Sequence, residues 1–294
     1  MPKIAAHLIL GPREEPFLGA LLESLAGAAD MLVVNDNGPD PSPHGSTLHA
    51  SWFGRNDHLV LDRTPFTDFS TARNVCLRRH AEIDAGDWVA FVDADEVHAD
   101  AVRRVARHLN LVPQSIDFVD AYTWHFFASF DLYTSIERRM SFFRFARDAR
   151  WSGRVHEHLE GLRGARIALP YVYAHYGHVV PARRHAEKGR LYSSLGQQGE
   201  IVGEDALDSI DVERYFAAIW PTLLRFTGDH PPCARATIER LRETYAIEQA
   251  RALALTAAAQ SPATRARNAM MKLNYEQRWR GRALNPLARR LLST

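Results

Sequence analysis

Asp87-Trp88-Val89-Ala90-Phe91-Val92-Asp93-Ala94-Asp95-Glu96 is the stretch that decides how this chain reads. Trp88 to Val92 has the length and composition of a buried strand. It runs directly into the carboxylates Asp93, Asp95 and Glu96. Asp93 and Asp95 are two residues apart, so on a continuing strand they point to the same side. Like charges brought together there repel unless a cation sits beside them. Hard oxygen ligands suit Mg²⁺ or Mn²⁺, ions that also hold phosphate oxygens. The plainer alternative is a strand end followed by an acidic helix start, with Asp95 or Glu96 as the cap.

Working outward, the first half of the chain alternates strand and helix signals. Ile4 to Leu10, Met31 to Val34 and His58 to Leu61 are short apolar runs. Pro16 to Leu25, Phe69 to Ile83 and Ala101 to Leu109 carry helical spacing. Asn35-Asp36-Asn37-Gly38-Pro39-Asp40 is a dense turn signal. Repeated units of this length predict an α/β fold, a mostly parallel sheet flanked by helices. Such sheets bind ligands at the carboxyl ends of their strands. Ile116 to Phe127, Met140 to Phe145 and Arg166 to Ala174 are richer in aromatic and β-branched residues, and predict mixed or antiparallel strands completing the sheet. From Pro181 onward the chain reads as a helical C-terminal extension. A soft boundary near residue 200 divides it into 1–200 and 201–294.

Composition narrows the class. The chain has 294 residues, 46% hydrophobic and 24% charged, as expected of a globular protein. No apolar stretch is long enough for a transmembrane helix, and the N-terminal run reads as a first strand, not a signal peptide. Cys76 and Cys233 predict reduced thiols in a cytoplasmic protein. The net charge of +1 conceals an asymmetry. Residues 261–294 hold eight Lys or Arg against the single acid Glu276, or +7, which leaves 28 bases and 34 acids, or −6, in residues 1–260.

The ordered motifs of residues 1–180 resemble the family 2 glycosyltransferases, which have the GT-A (Rossmann-like) fold. Leu8-Ile9-Leu10-Gly11 with Arg13-Glu14-Glu15-Pro16 resembles the family's first strand and its Asn-Glu-Glu loop, with Arg13 in place of Asn. Met31 to Asp40 resembles the second strand and its Asp-Asp-Gly-Ser-x-Asp turn, from which Asn35 and Gly38 depart. Thr71-Ala72-Arg73-Asn74 resembles the Ala-Arg-Asn helix start, and Asp93-Ala94-Asp95-Glu96 matches one form of the metal motif. The resemblance implies a nucleotide-diphosphate sugar as donor, held by Leu10, Glu14, Asp36, Arg73 and Asp93. Asp36 would contact the base, and Asp93 the ribose or sugar. It also implies a divalent metal, Mn²⁺ or Mg²⁺, on Asp95, and a role in bacterial-type glycan biosynthesis. Taken alone, Asp36 reads equally as a turn residue satisfying its own backbone, and Arg73 as half of a surface ion pair.

Arg154-Val155-His156-Glu157-His158 does not fit the zinc-protease pattern His-Glu-x-x-His. It resembles the Val-His-Glu segment of one branch of the same family. The resemblance implies that Glu157 is the base that takes the acceptor's proton in an inverting displacement. Its alternative is a strand-edge carboxylate paired with Arg154 or Arg163. Ala174-His175-Tyr176-Gly177-His178 resembles that branch's His-x-Gly-Tyr and implies that His175 is a metal ligand, with His178 a competing candidate. A buried, backbone-bonded histidine is the alternative. Lys188 and Arg190 either meet phosphate or form a solvated face. The acceptor is not readable, and Phe127 to Arg139 is the segment expected to shape its site.

Three rivals stand against this reading. A sugar-phosphate nucleotidylyltransferase would need a Gly-rich basic loop after the first strand, where Glu14 and Glu15 sit instead. An iron oxygenase built on His158, Glu160 and His175 would need a nearly all-β scaffold. A non-catalytic nucleotide-sugar-binding module would keep the fold. The basic tail, with Met270, Met271 and Leu273 among its arginines, reads either as a docked helix with a solvated basic face, the preferred reading, or as a peripheral contact with the inner face of an anionic membrane. Nucleic acid is not expected as a partner.

Overall fold

The computed structural model describes residues 3–98, 101–197 and 202–279. Its strands are β1 (Ile4–Leu10), β2 (Met31–Asp36), β3 (Leu59–Arg63), β4 (Trp88–Phe91), β5 (Glu96–Val97), β6 (Ile116–Phe127), β7 (Ser129–Arg144), β8 (Arg150–Ser152), β9 (His158–Glu160), β10 (Ala165–His178) and β11 (Leu224–Arg225). The α-helices are α1 (Leu18–Leu25), α2 (Gly45–Ala50), α3 (Trp52–Arg55), α4 (Phe69–Ile83), α5 (Ala101–His108), α6 (Ala182–Ser194), α7 (Val212–Tyr215), α8 (Arg235–Thr244), α9 (Ala246–Ala259) and α10 (Pro262–Trp279).

Nine strands form one mixed sheet in the order β3-β2-β1-β4-β7-β6-β10-β5, with β11 on the side of β7. The strands β3, β2, β1 and β4 run parallel, with helix between each strand and the next along the chain, as the alternating pattern requires. At β7 the sense reverses, and β7 pairs antiparallel with both β4 and β6. The hairpin β6–β7 turns at Phe127–Ser129, so Phe127 to Arg139 is mostly a long strand. Register sets Leu10 beside Asp36, and Asp36 beside Arg63, at the carboxyl ends of the parallel strands.

Two apolar clusters support this crest. Leu8, Leu21, Leu32, Val34 and Trp88 are wholly enclosed with α1 against the parallel strands. Each large side chain so buried contributes about 1.5–3 kcal/mol. A second cluster joins Phe17, Phe126, Phe130 and Tyr176 to Leu224, Ile238 and Leu241, so the C-terminal segment shares the sheet's core. That segment is helical as expected, apart from 3-10 turns and the two-residue strand β11. Residues 198–201, at the expected division, and residues 280–294 of the basic tail lie outside the described residues. Neither Cys76 nor Cys233 is in a disulfide. Among the described residues no helix is long and apolar enough to cross a membrane.

One expectation fails in detail. The strand does not continue through Asp93 and Asp95. β4 ends at Phe91, and Asp93 to Glu96 is a turn in which the Glu96 amide donates to the Asp93 carbonyl at 3.0 Å. The physical reason is the partner: β5 pairs antiparallel with β10, opposing Glu96 to His175, and this pairing requires the chain to turn back first.

Candidate active site

The turn after β4 distributes its carboxylates among cations from three other elements. Asp68 caps α4 by accepting from the Thr71 amide at 2.8 Å, which places Arg73 in the first turns of the helix. The Arg73 guanidinium is buried, donates to Asp93 Oδ1 at 2.6 Å through Nη2, and donates to Glu157 through Nε. It lies over the Phe91 ring, 4.2 Å from the centroid. A surface ion pair is therefore not what Arg73 makes. Glu157 is bound to Arg73 and not to Arg154 or Arg163.

Glu157 sits in the loop between β8 and β9, where Gly153 and His156 adopt positive φ, 98° and 54°. The loop is tied to α4 by Asn74. Its side chain donates to the Trp151 carbonyl at 2.9 Å and accepts from the Trp151 amide at 2.8 Å. Thus the adjacent residues Arg73 and Asn74 do separate work, one gripping carboxylates and the other holding the hairpin that carries Glu157.

On the other side of the turn, Arg139 of β7 donates to Glu96 Oε1 at 3.0 Å and to Asp93 Oδ2 at 3.4 Å. Glu96 is wholly enclosed and also accepts from the Asp93 amide at 3.1 Å. Burial pushes its carboxyl up to about 7, against the pull of Arg139. Asp93 feels the same burial, but Arg73 and Arg139 outweigh it and hold it below the usual carboxylate range.

Asp95 faces the imidazole of β10. Its Oδ1 lies 3.3 Å from His175 Nε2 and has no hydrogen bond of good geometry. Burial raises the Asp95 carboxyl, yet the His175 charge, with Lys188 and His178, outweighs it and holds Asp95 well below its ordinary value. His175 is raised in turn, because Asp95 outweighs the burial that disfavours its cation. His175 Nδ1 is 3.2 Å from His125 Nδ1, and burial together with His175 drops His125 to about 3. His178 Nδ1 instead meets His185 Nε2 at 2.9 Å. Gly177 is shaped by this contact. A Cβ there would overlap Asp95 Oδ2, so the position has room only for glycine.

The remaining sequence candidates divide. Asp36 is wholly enclosed; Oδ1 accepts from the Gly38 amide at 2.9 Å, while Oδ2 has no partner. Leu10 sends its side chain into the core, and its carbonyl accepts from Asn37. Glu14 is exposed. Its neighbour Glu15 is the acid that faces the site: burial and Asp95 raise its carboxyl to about 7. Lys188 of α6 feels Asp95, Asp93 and Glu15, which outweigh its burial and raise it, whereas Arg190 pairs with the exposed Glu204. Arg13 pairs with Glu187 of α6. Glu15, Glu96, His125 and Arg139 were not among the expected site residues. Only Glu96 and Glu15 carried a sequence signal, as parts of acidic motifs.

The donor atoms suit a divalent ion at one place. An enclosed carboxylate oxygen without a hydrogen bond faces an imidazole nitrogen, a hard and a borderline ligand such as Mn²⁺ accepts. Among the described residues there is no group of three or more His, Cys, Asp or Glu able to hold a metal alone.

No protein-family model matches the chain, and no curated protein matches it. Several solved structures are similar. A mannosyltransferase from Pyrobaculum calidifontis, in complex with GDP-Man and Mn²⁺, is 16% identical over 99% of this chain and 83% of its own, with a TM-score of 0.41. S. aureus TarS with UDP is 14% identical over 73% of this chain and 72% of its own, with a TM-score of 0.38. GalNAc-T7 with UDP, GalNAc and Mn²⁺ is 12% identical over 42% of this chain and 24% of its own, with a TM-score of 0.31. Likeness of this degree assigns no activity, and the functional reading rests on the site.

Proposed function

We propose that the chain is a glycosyltransferase of the GT-A type that moves a sugar from a nucleotide-diphosphate donor to an acceptor nucleophile with inversion, with the catalytic unit in residues 1–200. The observation that carries this is the Asp95–His175 pair beside the Arg73-bridged carboxylates, at the carboxyl ends of the parallel strands. Asp95 and His175 would hold the divalent metal, and further ligands would come from the donor diphosphate. When bound there, the metal would neutralise charge on the departing diphosphate.

The chain's own groups have these roles. Arg73 and Arg139 hold Asp93 ionised and oriented toward the donor's ribose or sugar. Lys188 adds positive charge beside the carboxylates, where phosphate charge would gather. Asp36 has one unpartnered oxygen to offer a nucleobase donor, provided the turn after β2 opens to admit it. Glu157 would take the acceptor's proton. Its bond to Arg73 favours a second reading, in which Glu157 positions Arg73 for the donor.

The test is thermal-shift titration of nucleoside diphosphates with and without Mn²⁺ on wild type and Asp95→Ala. Stabilisation by one nucleotide that needs both metal and Asp95 supports the assignment and names the base. Equal stabilisation of both proteins removes Asp95 from the metal site, and none by any nucleotide leaves a non-catalytic scaffold. For Glu157→Gln, lost transfer with intact donor binding supports the base. Lost donor binding supports the positioning role.

A further inference from the structure

Helix α10 carries its amphipathic pattern inverted. The residues facing the body are Thr264, Asn268, Lys272 and Tyr275, a spacing of one helical stripe. Asn268 donates to the Pro221 carbonyl at 2.9 Å, and Lys272 Nζ donates to the Arg225 carbonyl at 3.2 Å and to Thr227 Oγ1 at 3.0 Å. The helix is therefore held largely through polar groups. Ala266, Ala269, Met270 and Leu273, at i, i+3, i+4 and i+7, form the opposite stripe, and all four are exposed. Met270 is 72% and Leu273 58% accessible. The exposed Arg265 and Arg267 lie on either side of that stripe.

A solvent-facing stripe of this kind has a hydration cost that no contact among the described residues offsets. Its two large side chains fall far short of the roughly 800 Å² per partner that a stable protein interface buries. They do suit shallow insertion among lipid acyl chains, with arginines at headgroup level. The charge fits as well, since residues 261–294 carry +7 on a body of −6, placing the attraction at this end of the chain. We propose that the outer face of α10 is a peripheral docking surface for an anionic lipid bilayer.

The experiment is cosedimentation of the full chain with phosphatidylglycerol–phosphatidylcholine vesicles and with pure phosphatidylcholine vesicles. Wild type is expected to bind the anionic vesicles strongly and the neutral ones weakly. The double variant M270S/L273S, whose substituted side chains make no core contact, is expected to melt like wild type and bind about ten-fold more weakly. R265Q/R267Q is expected to weaken binding roughly five-fold per base, with the loss shrinking as salt rises. Binding unchanged by M270S/L273S, equal binding to both vesicles, or no binding to either overturns the proposal. So does a homopolymeric RNA that binds when vesicles do not, or a dimer that M270S/L273S dissolves.

Discussion

The parallel half of the sheet, β3 to β4, and the mixed half beyond it contribute opposite chemistry to one site. Two of the four parallel strands lead into acids: Asp36 closes β2, and Asp93 and Asp95 follow β4. The mixed half supplies bases from within long strands, Arg139 from β7, His125 from β6 and His175 from β10. An acid cluster beyond a strand end is tolerable only if cations arrive from elsewhere, and here they arrive from 43 residues away, between Glu96 and Arg139, and from 80, between Asp95 and His175. The difference teaches that acidic half-sites are local in sequence while their neutralisation is a property of strand order.

The sharpest way to break this comparison is to remove the long-range cation. Arg139→Ala leaves Glu96 enclosed without its partner, and is expected to cost about 3 kcal/mol in urea denaturation. Adding Glu96→Gln should recover a large part of that loss, because the amide is not charged. Additive costs in that double-mutant cycle would mean the two halves are not coupled.

Asn74→Ala tests the tie between α4 and the hairpin of Glu157. Two hydrogen bonds to Trp151 disappear, for an expected cost of about 2 kcal/mol and faster hydrogen exchange across residues 150–160. Unchanged exchange there would show that the hairpin is held by other contacts.

Gly177→Ala puts a methyl group against Asp95 and is expected to cost about 1–2 kcal/mol. The informative readout is metal-dependent stabilisation by nucleotide, which should fall well before the melting temperature does. If both fall together, Gly177 serves only packing.

The smallest effect is in pH dependence. Glu15 is raised from 4.5 to about 7 by burial and Asp95, with Lys188 and Arg184 opposing. A raised carboxyl binds its proton more tightly when folded, so its contribution is full below about pH 4.5 and is lost as pH rises toward 7. Glu15→Gln should flatten the fall of melting temperature in that window. The buried His98, lowered to about 3 by desolvation, acts with the opposite sign: its contribution is full above pH 6.5 and is lost as pH falls toward 3. An unchanged slope in Glu15→Gln would show that Glu15 titrates normally.

Much of the first half of the chain was legible in advance. Phe69–Ile83 is a helix with the bounds expected, and Ile116–Phe127 a strand with the bounds expected, because apolar periodicity and caps are local signals. The structure sets Asp95 Oδ1 3.3 Å from His175 Nε2, an approach that local sequence signals do not encode. Less legible was the difference between Glu14 and Glu15, since one residue along an irregular loop decides which acid is exposed and which is half-buried beside Asp95. Arg139 was hidden for another reason: an arginine in a strand is ambiguous until its register opposite a neighbour is known.

By itself, then, the amino-acid sequence determined the alternation of β1 to β4 with α1 and α4, the turn that follows β2, and the carboxylates that lie beyond β4. These follow from hydrophobic period and turn chemistry, which act over a few residues. Only the tertiary structure decided that Arg73 bridges Asp93 and Glu157, that Arg139 meets Glu96, and that α10 turns its apolar stripe outward. Each of these depends on which distant segments become neighbours in the sheet and core, because burial and charge pairing act through space and not along the chain.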